Sequence, residues 1–131
     1  MRNIIFLIGF IFFTSYTATG QSINQSGIIK SVDAGQFNSL ILSGKYLVLD
    51  IRTSKEFGEG HINSAINIDF YNKDFDQNVS IYKDRPLLIY SRSSAQSKQA
   101  LTRLAELNFS EVIELENGLV AWKRAGYSLV K

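Results

Sequence analysis

PLLIYSRSSAQSKQALTRLAEL, residues 86–107, is the stretch from which the rest of the chain can be read. Leu87, Leu88, Ile89 and Tyr90 form an apolar run with no alternation, the pattern of a strand buried on both faces. Ser91, Arg92, Ser93, Ser94, Ala95, Gln96 and Ser97 follow, nearly all polar or small. Ala100, Leu101, Leu104 and Leu107 then recur at helical spacing. The reading is strand, tight loop, helix. Such a loop wraps the amino end of the helix, where unpaired N–H groups and the positive end of the helix dipole gather. It suits an anion, or a nucleophile that must become anionic. Ser91 is the first side chain the strand delivers there.

Outward from this unit, strands and helices alternate. Downstream, Val112, Ile113 and Leu115 read as a strand. Asn117-Gly118 turns into a last short helix carrying Val120, Ala121 and Trp122 and ending near Gly126. Upstream, Ile28 and Ile29 suit a short edge strand, and Ser31 or Asp33 caps a helix, with Asp33 and Gln36 at capping-box spacing. Phe37, Leu40 and Ile41 share a face of that helix, and Gly44 ends it. A second apolar strand over 46–49 leads into Asp50-Ile51-Arg52. Thr53 or Ser54 caps a helical turn through Glu56 and Phe57, broken by Gly58 and Gly60. His61 then leads towards a third strand, Ile66-Asn67-Ile68. Residues 69–84 are expected to be irregular with one short helix, and Phe70, Tyr71, Phe75 and Tyr82 to serve as core or lid packing. The expectation is a parallel α/β sheet with helices on both faces and right-handed crossovers. Ligands of such sheets sit beyond the carboxyl ends of strands, where Asp50 and Ser91 both fall.

The amino terminus is expected to be a targeting segment rather than part of the fold. Arg2 is followed by an apolar or glycine run over 4–13 and by small polar residues ending at Ala18-Thr19-Gly20. This reads as a signal peptide over 1–20, cleaved after Gly20, because a spanning helix needs ~20 apolar residues. Retention as a membrane anchor is the alternative. No cysteine follows the run, so lipidation there is excluded. The expected organisation is signal 1–20, polar linker 21–27 and one domain over 28–131. The mature protein would be periplasmic or secreted, with no membrane contact after cleavage. The net charge of +2 is small and its cations are scattered, which argues against nucleic acid. The chain has no cysteine, so it has neither disulfides nor thiol chemistry. With one histidine and no cysteine, no metal cluster is expected, and nothing calls for a cofactor.

Asp50-Ile51-Arg52, Glu56-Phe57, Gly60-His61-Ile62, Ala65 and Asn67-Ile68 resemble the front half of a rhodanese domain. Pro86 to Tyr90, the segment from Leu104 to Phe109, Gly118 and Ala121-Trp122 resemble its second half. The resemblance spans roughly Ile29 to Gly126, nearly all of the expected mature chain. It implies a central, mostly parallel five-stranded sheet flanked by helices. It also implies that a cysteine should stand where Ser91 stands. In active members that thiolate takes sulfane sulfur from a donor such as thiosulfate and passes it to cyanide or a thiol, with loop amides cradling the persulfide. A thiol has a pKa of ~8.5 that falls further at a helix amino end. A serine hydroxyl does not ionise usefully there, and oxygen cannot hold a transferable sulfane sulfur. Many active members also carry glycine at the position of Ser94 and arginine at that of Gln96. The related dual-specificity phosphatases would need a cysteine at 91 and an arginine at 97, and Ser97 stands there.

The resemblance therefore implies a rhodanese-like domain without sulfurtransferase turnover. Its loop, Ser91 to Ser97, would hold a small anion or a partner protein, with Arg92 as the side chain best placed for anion contact. The alternative is a thiosulfate-type sulfurtransferase whose cysteine is replaced by Ser91 through mutation or sequence error. The further changes at Ser94 and Gln96 weigh towards natural loss. A third reading joins Ser91, His61 and Asp50 as a hydrolase triad. It lacks the Gly-x-Ser-x-Gly elbow, and a serine bonding its own loop is the expected role. Asp50, Arg52, His61 and Trp122 are expected to be structural.

Overall fold

The computed structural model describes residues 27–131. The expected signal segment, and the linker up to residue 26, lie outside the described residues. Five strands and five helices alternate: β1 (Ile28–Val32), α1 (Ala34–Leu42), β2 (Leu47–Asp50), α2 (Ser54–Glu59), β3 (Ile66–Asn67), α3 (Phe75–Ser80), β4 (Leu87–Tyr90), α4 (Ser94–Glu106), β5 (Glu111–Leu115) and α5 (Gly118–Arg124). They form one sheet in the order β1-β5-β4-β2-β3, and every pairing is parallel. Among the described residues no helix is long and apolar enough to cross a membrane.

β4 is the central strand, and each of its four side chains is fully buried. The twofold period of a strand divides them between two cores. Leu87 and Ile89 pack with Ala100, Leu101 and Leu104 of α4 and with Phe75 and Val79 of α3. Leu88 and Tyr90 pack with Phe37 of α1 and with Leu119 and Trp122 of α5. A run without alternation is what a strand sandwiched between two helical layers requires. Leu88→Ala should therefore cost about 3 kcal/mol, the transfer and cavity cost of a buried leucine. Leu42→Ala, at a side chain 77% exposed, should cost less than about 0.5 kcal/mol. Urea midpoints compare the two, and equal shifts would take β4 out of the centre.

Local signals explain most element ends. Asp33 caps α1 by accepting from Gln36 N at 2.8 Å, and Gln36 Oε1 in turn accepts from Asp33 N. Thr53 caps α2, accepting from Glu56 N at 3.3 Å. Two expectations need correction. Gly58 does not break α2 but lies within it; the helix stops at Gly60, whose φ of +154° few other residues adopt. Tyr71 is not packing residue but 69% exposed, whereas Phe75 is buried and Phe70 and Tyr82 flank the same core.

The chain leaves β2 for β3 on one side and returns to β4 on the other. A crevice is expected at the carboxyl ends where the chain changes direction in this way. Asp50 ends β2 and Ser91 follows β4 at that edge.

Candidate functional site

The loop after β4 is held from below and from the side. α5 aims its first N–H groups at the loop: Leu119 N donates to the Ser91 carbonyl at 3.0 Å, and Val120 N to the Arg92 carbonyl at 3.3 Å. Asn117 N donates to Ser94 Oγ at 2.7 Å. Ser94 is the first residue of α4, and its backbone does not take the positive φ that would call for glycine. On the other side Ser97 Oγ donates to the Glu114 carboxylate, which also accepts from Ser31 Oγ at 2.6 Å. Glu114 and Ser97 are fully buried. Three elements, β1, β5 and α4, thus meet at one satisfied carboxyl group, so the amino end of α4 is pinned to the sheet.

Ser91 is fully buried, and its hydroxyl donates to Gln96 Oε1 at 2.6 Å. Gln96 Nε2 lies 3.4 Å from the Ile51 carbonyl, reaching across to the end of β2. The Gln96 amide therefore lies against the Ser91 hydroxyl. A hydroxyl donating a short bond to a neutral carbonyl oxygen is held protonated, which is the opposite of nucleophile activation.

Asp50 and Arg52 form a second buried unit. Arg52 Nε lies 3.0 and 3.1 Å from the two carboxylate oxygens, and Nη2 lies 2.6 Å from Oδ2 and 2.7 Å from the Gly60 carbonyl. Burial works against the Arg52 charge, but the Asp50 hydrogen bonds and charge outweigh it and raise the guanidinium pKa. Tyr90 lies beside this pair; burial, with the Asp50 charge added, pushes its hydroxyl well above the ordinary range. That hydroxyl accepts from Ile62 N at 3.0 Å. Asn67 Nδ2 donates to the Asp50 and Arg52 carbonyls at 3.1 and 2.8 Å. The unit ties β2, β3 and the turn at Gly60 together.

His61 stands apart from Ser91 in its bonding. Its ring stacks on Phe57 at 3.7 Å, and Nδ1 donates to the Phe57 carbonyl at 3.0 Å. Its backbone pairs with Val130. The three members of the hypothetical triad are thus each bonded elsewhere: Ser91 to Gln96, His61 to Phe57, Asp50 to Arg52. Trp122 is buried, stacks on Tyr127 at 4.5 Å and donates from Nε1 to the Ser128 carbonyl at 3.0 Å. Among the described residues no cluster of three or more His, Cys, Asp or Glu side chains could hold a metal.

Arg92 is exposed. It lines a cleft of about 200 Å³ together with Arg52, Lys123, Glu56 and Glu59. Arg92 is the one residue of the 91–97 loop that lines this cleft.

Residues 33–125 match the sequence model of the rhodanese-like domain. The chain belongs to the rhodanese-like domain family. Its relatives include a sulfurtransferase of Allochromatium vinosum, 36% identical over 84 residues, 64% of this chain and 78% of that one. Rhodanese-like domain-containing protein 17 of Arabidopsis thaliana is 29% identical over 130 residues, 89% of this chain and 82% of the relative. A rhodanese-related protein of Thermoplasma volcanium superimposes with a TM-score of 0.68 at 25% identity, over 77% of this chain and 97% of that one. The rhodanese-like domain of an Anabaena protein gives the same TM-score at 29% identity, over 76% and 77% of the two chains. This is a rhodanese-like domain with a five-stranded all-parallel sheet and no cysteine. The persulfide-forming cysteine of the family is absent.

Three parts of the site escaped the sequence reading. In the sequence Gln96 marks a missing charge; in the structure it is bonded to Ser91. Glu114 lies within a mostly apolar strand, and nothing local marks it. Glu56, Glu59 and Lys123 had no assigned place beside Arg92. Only the mixed charge of α2 and α5 hinted at the cleft.

Proposed function

We propose that this rhodanese-like domain is a non-catalytic binding module whose working face is the Ser91 loop and the cleft beside Arg92. The observation that carries the reading is the Ser91 hydroxyl, fully buried and bonded to Gln96 at 2.6 Å in a chain without a thiol. Sulfur transfer needs a nucleophile that can ionise and hold sulfane sulfur, and this pair supplies neither. The alternative, an otherwise competent sulfurtransferase with an isolated Cys-to-Ser change, is weakened by Gln96 pairing with the serine. The test is thiocyanate formation from thiosulfate and cyanide by the full chain, with calorimetric titration of thiosulfate, sulfate, phosphate and sulfite. No turnover above background is expected; turnover would sink the reading.

The module is proposed to act outside the cytoplasm, since the apolar run over 4–13 precedes small residues ending at Gly20. Mass spectrometry of protein from its native host should find an amino terminus at Gln21. Intact Met1 in the membrane fraction would instead mean an anchor.

A further inference from the structure

Arg52 is 7% exposed, and its described side-chain hydrogen bonds use Nε and Nη2 alone. Nη1 makes no hydrogen bond to the described residues, yet no fully buried side-chain nitrogen is left without a partner. Arg52 is also one of the residues lining the cleft beside the loop. A guanidinium fixed by Asp50 and Gly60, with Nη1 unused by the described residues, is a preorganised hydrogen-bond donor for a carboxylate.

The other charges of the cleft balance. Arg92 and Lys123 bring two positive charges, and Glu56 and Glu59 bring two negative ones. Arg52 is neutralised by Asp50. A compact dianion would meet as much repulsion as attraction here. A ligand with both a carboxylate and an ammonium can pair with the acids of α2 and with the cations of the loop and α5. The remaining lining includes Leu119, Val120 and Leu129, so an aliphatic group has apolar surface to cover. The volume of about 200 Å³ lies below the ~300–1,000 Å³ typical of pockets for drug-sized ligands. It suits a molecule the size of one amino acid.

We propose that this cleft binds a small aliphatic zwitterion of the free amino acid class, its carboxylate on Arg52 Nη1, Arg92 and Lys123 and its ammonium on Glu56 and Glu59. The inference rests on the reading of this face as the binding face and names its ligand class. Part of the selectivity comes from exclusion: blocking either end of the ligand leaves one set of charges unmatched.

The test is calorimetric titration of the full chain with L-leucine, L-leucinamide, N-acetyl-L-leucine and sulfate, with amide NMR shifts at Gly60 and Leu119 as a second readout. L-leucine should bind at one site. Each blocked form should bind at least about tenfold more weakly, the scale of one lost charged hydrogen bond. Arg92→Ala and Glu59→Gln, both at exposed positions, should each cause a similar loss with an unchanged circular dichroism spectrum. No shift with L-leucine would overturn the proposal, and so would N-acetyl-L-leucine or sulfate binding as tightly as L-leucine. The thiocyanate assay reads the other question separately: turnover would sink the non-catalytic reading, while a failed leucine titration sinks the zwitterion alone.

Discussion

Ser91→Cys alone should leave thiosulfate:cyanide turnover near background, and adding Gln96→Arg should raise it by ~10²–10³, the usual effect of one preorganised contact to a developing anion. The single change supplies sulfur but places it against the wrong partner. Gln96 Oε1 lies 2.6 Å from the Ser91 oxygen and accepts its proton. Facing a thiol, that oxygen favours the neutral S–H and repels the thiolate. The amino end of α4 pulls the other way and lowers a thiol pKa, so the two effects oppose each other. Arginine at 96 replaces the acceptor with a fixed cation and removes the conflict.

The structure changes the expected role of position 94. By resemblance, Ser94→Gly should help, because many active members carry glycine there. In this chain Ser94 needs no positive φ, and its hydroxyl receives Asn117 N at 2.7 Å. Ser94→Gly would release that bond and loosen α5 from the loop. The triple change Ser91→Cys, Ser94→Gly, Gln96→Arg should therefore do no better than the double. Thiocyanate formation measures turnover, and intact mass measures a persulfide as one added sulfur. A single Ser91→Cys variant matching the double would mean that Gln96 does not obstruct the site.

The fold was legible because its signals are local. The unbroken apolar run of β4, the Asp33–Gln36 pair and the spacing of Ala100, Leu101 and Leu104 each depend on neighbours within a turn or two. Gly58 is ambiguous in the sequence because a glycine reads alike whether it stops a short helix or sits inside one, as here. Ser91 was legible as the first polar residue after the strand. Its partner was not, since the direction Gln96 takes depends on how α4 is pinned. That pinning runs through Glu114, whose hydroxyl donors stand 83 and 17 residues away in the chain. No local pattern announces a carboxyl group satisfied at such separations. The cleft is the same case: its charges come from β2's end, α2, the loop and α5.

Gly118→Ala should destabilise the domain by about 2–5 kcal/mol, a substantial share of the ~5–15 kcal/mol that holds a typical domain together. Two costs add. Gly118 has a φ of +50°, where an L side chain costs roughly 1–2 kcal/mol. A Cβ there would also run into the Ser91 carbonyl oxygen and lie 2.8 and 2.9 Å from the Arg92 carbonyl carbon and oxygen. Overpacking of this kind typically costs ~1–3 kcal/mol and occasionally more. The obstacle is backbone, so no rotamer change relieves it. The loop can move away only by breaking the bonds from Leu119 N and Val120 N to the same two carbonyls. Asn117→Gly is the control. Asn117 also has positive φ, at +59°, but its side chain makes no capping bond. Glycine there should cost little, as it adopts that conformation freely. Urea unfolding followed by circular dichroism measures both variants. Gly118→Ala at no more than about 1 kcal/mol, the ordinary mutational average, would mean that α5 does not brace the loop as closely as these contacts require.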